Sequence, residues 1–178
     1  MAVHVKQDRN WVDLTEFQTE YLRNDNSIEM DVDGTTPVQF TYVVPNDFYF
    51  MAHRVCFFIL DVGGVNADQF GGITGGLTNG CLLEVVRNNA VAKDLFGGTP
   101  IKTNGDFSAL GGVDVATLAG GKGVGIRWTF AKAAGFPLRL HSGDIFRLTV
   151  RDNLTALNRF RTMLHGFTAP TSVIDKKE

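Results

Sequence analysis

The sequence predicts an all-β chain: an antiparallel β-sandwich, jelly-roll-like, with an N-terminal arm. Three observations carry the prediction. Some eight to ten short segments alternate apolar and polar residues with a period of two, as half-buried strands do. Glycine supplies 20 of the 178 residues, about 11% against a usual value near 7%, and it clusters between those segments. Stretches with helical spacing are almost missing, so the elements that share a core must be strands.

Length and hydropathy fit one domain. A chain of 178 residues, 44% of them hydrophobic, buries roughly 70% of its unfolded surface and needs neither disulfide nor metal to fold. The expected organisation is an arm over residues 1–27, a sandwich over 28–170 and a polar tail over 171–178. Within the arm, Leu14, Phe17, Tyr21 and Leu22 fit one side of a short helix, and Asp13 with Glu16 has capping-box spacing. "SIEMDVDG" then alternates Ile28, Met30 and Val32 against Glu29, Asp31 and Asp33, and "PVQFTYVVP" alternates Val38, Phe40, Tyr42 and Val44 against Gln39 and Thr41. Phe48–Asp61 reads as a long strand, apolar on both faces over its second half, as a central strand is.

"CLLEVVRNN" is the next strand. Two turn signals follow, Gly97-Gly98 and Asn104-Gly105, the second suited to a tight hairpin. The clusters Gly63–Gly80 and Gly111–Gly125 read as long, turn-rich connections. "GIRWTFAK" places Ile126, Trp128 and Phe130 opposite Arg127 and Thr129. After a Ser142-Gly143 break, Phe146, Leu148 and Val150 face inward while Arg147, Thr149 and Arg151 face outward. Residues 153–165 fit two patterns. Leu154, Leu157, Phe160 and Leu164 recur at helical spacing, whereas Phe160, Thr162 and Leu164 alternate with Arg159, Arg161 and Met163. A strand entering at Val150 needs a partner, which favours strand-turn-strand with "DNLTAL" as the connection.

Charge excludes little but points away from nucleic acid. Lys and Arg number 17, Asp and Glu 19, for a net charge of −2, with no cluster of cations for phosphates. No membrane contact is expected either: the most apolar run, Phe48–Leu60, is too short to span a bilayer and contains His53 and Arg54. The opening "MAVHVKQDRNWVDLTEF" lacks the apolar core of a signal peptide, so synthesis in the cytoplasm is the expectation. Cys56 and Cys81 read as buried thiols, with a disulfide between them left open.

A search for catalytic and metal motifs fails. No GxSxG elbow is present. "GGKGVG" has Ala116 where a phosphate loop needs glycine and Gly123 where it needs Ser or Thr, so Lys122 reads as a solvated loop residue. His4, His53, His141 and His165 have no HxH or HExxH spacing. "DVDG" starts like a calcium loop but lacks the later acidic ligands and reads as a β-turn. Asp144 and Asp152 flank one strand, as turn residues do. No catalytic residue, metal or cofactor is expected, and the chain reads as a non-enzyme. Phenylalanine, at 14 against 2 Trp and 3 Tyr, sits at inward strand positions, which fits a packed core better than a sugar platform. Phe70 and Leu77 lie inside a glycine cluster, where apolar residues either fold back on the core or wait for a partner.

The last third, "FPLRLHSGDIFRLTVRDNLTALNRFRTMLHGF", resembles the closing strands of β-sandwich (jelly-roll) virion structural proteins of tailed bacteriophages, the capsid-decoration and neck or collar type. The "SGD" turn, the "DNLTAL" connection and the "FRTMLHGF" strand carry the resemblance, and "LTNGCLLEVV" and "NGDFSALGGVDV" are similar in texture. It covers roughly residues 37–167 and transfers no site residues. It implies a structural role in the virion, with other copies of the chain and capsid, portal or neck proteins as partners. The arm and glycine-rich loops then supply assembly surfaces, with Trp11, Phe17, Phe70 and Leu77 as interface anchors. A carbohydrate- or receptor-binding module of a tail or fibre is the alternative.

Overall fold

A computed structural model describes residues 3–7, 10–14, 18–21, 38–61, 70, 73, 75–103, 106, 112–118, 121–130, 137–154, 157 and 159–174. Their elements are β1 (Val3–Gln7), β2 (Asn10–Leu14), β3 (Gln18–Tyr21), β4 (Val38–Val43), β5 (Phe48–Asp61), β6 (Cys81–Arg87), β7 (Ala90–Asp94), β8 (Gly112–Leu118), β9 (Gly121–Thr129), β10 (Leu138–Leu140), β11 (Ile145–Val150), β12 (Arg159–Pro170) and α1 (Thr171–Ile174). The strands form two antiparallel sheets, and the expected all-β sandwich is what the chain adopts. One sheet runs β3–β12–β5–β9–β8, with β10 also on β5. The other runs β4–β11–β6–β7. The β1–β2 hairpin belongs to neither.

β5 is the spine. One of its edges pairs with β12 from Phe48 to Leu60. The other is shared end to end by β10 along Phe50–Ala52 and β9 along Arg54–Asp61. On β12, His165 pairs with Arg54 and Gly166 with Ala52, so His53 is one residue extra on β5. That bulge moves the inward phase from Phe50 and Ala52 to Val55 and Phe57, all fully buried.

Alternation built the facing layer as expected. In β4 and the residue that follows it, Phe40 and Val44 are buried while Gln39 and Val43 are exposed. In β11, Phe146, Leu148 and Val150 are all buried. The two layers meet ring to ring. Phe40 of β4 lies 6.0 Å from Phe160 of β12, and Tyr42 lies 4.9 Å from Phe50, both edge-to-face. Leu154 and Leu157, from the connection ahead of β12, complete the core. Residues 159–165 are therefore strand, and the strand-turn-strand reading holds there.

Several expectations change. The helix expected around Leu14–Leu22 is not what the described residues form: Asn10–Leu14 and Gln18–Tyr21 are strands. A helix this short is marginal in isolation, and a ladder to Met163–Gly166 satisfies the backbone of β3 instead. Part of the expected arm is thus an edge strand of the sandwich. The second glycine cluster is a hairpin, β8 on β9, because Val113 and Val115 keep a strand period across it. Lys122 accordingly sits in a strand, opposite Asp61 and Thr117, and not in a loop. Thr149, expected outside, is buried. "SIEMDVDG" and the Asn104-Gly105 turn lie outside the described residues.

Candidate functional site

Three polar clusters fasten β11 and its flanking turns to neighbouring segments. After β11, the buried Asp152 carboxylate accepts the N–H groups of Thr78, Asn79 and Gly80 at 2.7, 3.0 and 2.8 Å. This ties the first glycine-rich loop to the C-terminal end of β11, whose Val150 pairs with Cys81. Gly80 is required there: its φ is +78°, and a Cβ would lie 2.7 Å from the Ile101 carbonyl oxygen. Next in sequence, Cys81 is fully buried, and burial pushes its thiol far above the ordinary range, with the Asp152 charge adding to the shift. Before β11, the "SGD" turn places Gly143 at φ +76° and sends Asp144 inward.

Asp144 is 1% exposed and receives both the Nε–H and an Nη–H of Arg87 at 2.7 Å, as well as the His141 N–H. Burial alone would raise its pKa. The Arg87 hydrogen bonds, the His141 N–H and the guanidinium charge outweigh that and hold it below the usual value. A second pair, Arg147 to Glu84 at 2.8 Å, bridges β11 and β6 at directly opposed positions. The histidines are spread out. His53 packs on Phe167, His141 on Tyr49, and His165 accepts the Arg54 Nε–H at 3.1 Å. Burial lowers the pKa of His53 and of His165, and the Arg54 charge lowers both further. Among the described residues, no three His, Cys, Asp or Glu side chains group to hold a metal.

A cleft of about 370 Å³ opens beside β7, lined by Lys93, Leu95, Trp128, Thr129, Phe130 and Leu138. Its wall is built locally. Asp94 accepts the N–H groups of Phe96 and Gly98 at 2.8 and 2.9 Å, and Gly97 and Gly98 take positive φ as the turn requires. The turn carries Phe96 onto Trp128, stacked at 5.7 Å, while Phe130 meets Trp128 edge-on at 4.9 Å. The cleft can bury an apolar group and offer one cation to an anion. Its lining contains no carboxylate, histidine or cysteine.

The four residues expected at an interface divide. Phe70 and Leu77 are core residues, 0% and 3% exposed. Phe70 is held by reciprocal N–H···O bonds with Ile73, and Leu77 by its N–H to the Lys102 carbonyl. They fold back on the core, one of the two outcomes expected for apolar residues in that glycine cluster. Trp11 pairs with Lys6 in the separate hairpin, and Phe17 lies outside the described residues. Asp144 and Asp152 were read only as turn residues, because their partners lie 57 and about 73 positions away. Comparison with known protein families, curated proteins and solved structures finds no match.

Proposed function

We propose that the chain is a structural protein of a tailed-phage virion, a capsid decoration (cement) or neck/collar component working by symmetric assembly with copies of itself and with capsid, portal or neck proteins. The wiring of the sandwich carries the reading. With β8 and β10 set aside as additions, the sheets run β3–β12–β5–β9 and β4–β11–β6–β7. We read that interleaving as a jelly roll with two added strands, an architecture used by viral shell proteins and by lectins. Architecture alone does not choose between these uses, so the side chains must.

They favour assembly. Among the described residues, buried Asp144 is held by Arg87, half-buried Glu84 by Arg147, and buried Asp152 by backbone N–H groups, so these carboxylates serve as internal staples. Among the described residues, the large apolar groups left exposed, Val43, Phe48 and Val91, are surface features of the sandwich. The hairpin β1–β2 stands outside both sheets. No nucleic-acid, membrane or catalytic role is proposed, and the location is the virion after synthesis in the host cytoplasm.

The alternative, a carbohydrate- or receptor-binding module, draws on the Trp128 cleft. Trp128 is engaged by Phe96 and by Phe130, which fits packing better than an open platform for a sugar ring. Quantitative mass spectrometry of purified virions, from an infection in which the chain is made, tests the reading. The chain is expected at a fixed copy number per particle. Finding it in the lysate but not in purified particles overturns the proposal. Saturable quenching of tryptophan fluorescence by a glycan supports the alternative.

A further inference from the structure

Among the described residues, β3 and β8 end one sheet and β4 and β7 the other, while the three-residue β10 and the part of β12 beyond β3 leave shorter open stretches. Natural sheets protect such edges with short strands, charges or bulges, because an unpaired row of N–H and C=O groups is a template for another strand. β3 is only four residues long and carries Glu20. β8 carries Asp114. β7 carries Lys93 and Asp94, and its pairing is irregular at Val85/Val86. β4, "VQFTYV", has none of these devices. It is six residues long, uncharged and free of proline, and its register with β11 is unbroken. Among the described residues, no strand pairs with its other edge.

We propose that this outer edge of β4 is an interface between two copies of the chain, paired antiparallel across a two-fold axis at Thr41. The backbone fixes which groups are offered. Val44 donates its N–H to the Asp144 carbonyl oxygen at 2.9 Å, on the β11 side. Antiparallel ladders alternate, so Tyr42, Phe40 and Val38 also bond toward β11. Gln39, Thr41 and Val43 then direct their N–H and C=O groups outward.

Identical antiparallel strands keep like faces together only when the opposed residue numbers sum to an even number. A two-fold axis at Thr41 meets that condition and uses all three outward-directed residues. Thr41 opposes Thr41, and Gln39 opposes Val43 on each side. Threonine opposite threonine is a favourable cross-strand pair. Val43, 55% exposed in the single chain, gains a neighbour on the same face. No like charges meet, so a second copy is the occupant that the strand itself specifies. The contact is isologous and closes on itself, giving one continuous sheet across the pair.

This interface goes beyond the virion reading and is tested on the purified full chain alone. Size-exclusion chromatography with light scattering is expected to report twice the chain mass of 19.5 kDa. Thr41→Pro removes one outward N–H while leaving the bonds to β11, a position where an edge strand tolerates proline. Thr41→Lys sets two like charges on the axis. Both variants are expected to run at the single-chain mass with an unchanged far-UV circular dichroism spectrum. If Thr41→Pro loses the spectrum, Thr41→Lys and Val43→Lys decide. A monomeric wild type at every concentration overturns the proposal, and so does a dimer indifferent to the lysine variants. Either result leaves the virion reading standing, just as absence from virions would leave this interface standing.

Discussion

Arg87, the last residue of β6, grips both oxygens of Asp144, in the turn before β11, at 2.7 Å, and only one of the two is buried: the Arg87 side chain is 43% exposed, the carboxylate 1%. The pair fixes the end of β6 to the turn that starts β11. Its value lies less in Coulomb attraction, which solvent screens at Arg87, than in satisfying a carboxylate that is already out of water.

The pH dependence follows from the sign of the Asp144 shift. Its folded pKa lies below the ordinary value of 3.8. Stability from this group is therefore fully present above that ordinary value and is lost as pH falls through the lower, folded one. Denaturant midpoints measured from pH 7 downward should show an acid-labile component below about pH 4. Asp144→Asn should lack that component and lose about 2 kcal/mol at neutral pH. An unchanged acid limb in the variant would show that the pair contributes nothing.

Gly166→Ala should be the more damaging of two glycine substitutions. A Cβ at Gly166 runs into the Met51 carbonyl oxygen and lies 2.7 Å from the Phe50 ring, where backbone and a fully buried aromatic leave no room. The expected cost is about 3 kcal/mol. Gly143→Ala meets nothing within 4 Å but must hold φ near +76°, which costs about 1 kcal/mol. Urea midpoints for the two variants check the order.

Asp152→Ala should release the loop that the carboxylate ties down. Three N–H groups lose their acceptor, and that of Gly80 is buried. The expected loss is about 2–3 kcal/mol, with amide hydrogen exchange rising first at Thr78, Asn79 and Gly80. Protection that survives at those amides would show the loop is held by Leu77 packing instead.

Thiol chemistry separates the two cysteines. Neither forms a disulfide. Both thiols are raised by burial, Cys81 much further than Cys56, and Cys81 is wholly inaccessible while Cys56 is 8% exposed. A thiol reagent under native conditions should label Cys56 slowly and Cys81 only on unfolding. Prompt labelling of Cys81 would mean that the β6 end opens.

What the sequence disclosed and what it hid follow one physical division. β4, β5 and β11 were legible because burial against the opposite sheet forces a period of two, visible in Phe40–Val44 and Phe146–Val150. The β6–β7 hairpin was missed, although its signal stood in the sequence. Asn88 and Asn89 turn the chain at φ +50° and +61°, a conformation asparagine tolerates. The β8–β9 hairpin was hidden by its glycines, since Gly121, Gly123 and Gly125 occupy alternate positions where a hydrophobic pattern would otherwise show. The clusters at Asp144 and Asp152 could not be read locally, because each carboxylate is defined by partners brought to it by the fold.

The N-terminal region supplies the last prediction, and its two strand groups should behave differently. Among the described residues β1–β2 pairs only with itself, as Val5 with Val12 and Lys6 with Trp11, and it meets the sandwich mainly through β2 against β12; a two-stranded hairpin with so little support is marginal in water. Removing residues 1–14 should therefore leave the thermal midpoint of the sandwich nearly unchanged. Removing residues 1–27 also takes away β3, which covers β12 from Met163 to Gly166. That uncovers the middle of β12's edge beside fully buried Leu164. The longer deletion should lower the thermal midpoint by several degrees, as a loss of about 1–2 kcal/mol does in a domain of this size, and should promote aggregation. Attachment to virions, measured by co-sedimentation, should weaken already with the shorter deletion if the hairpin is an assembly element. Equal co-sedimentation of the full chain and the shorter variant would remove the hairpin from assembly. Equal thermal midpoints for the two deletions would show that β3 adds nothing to the sheet.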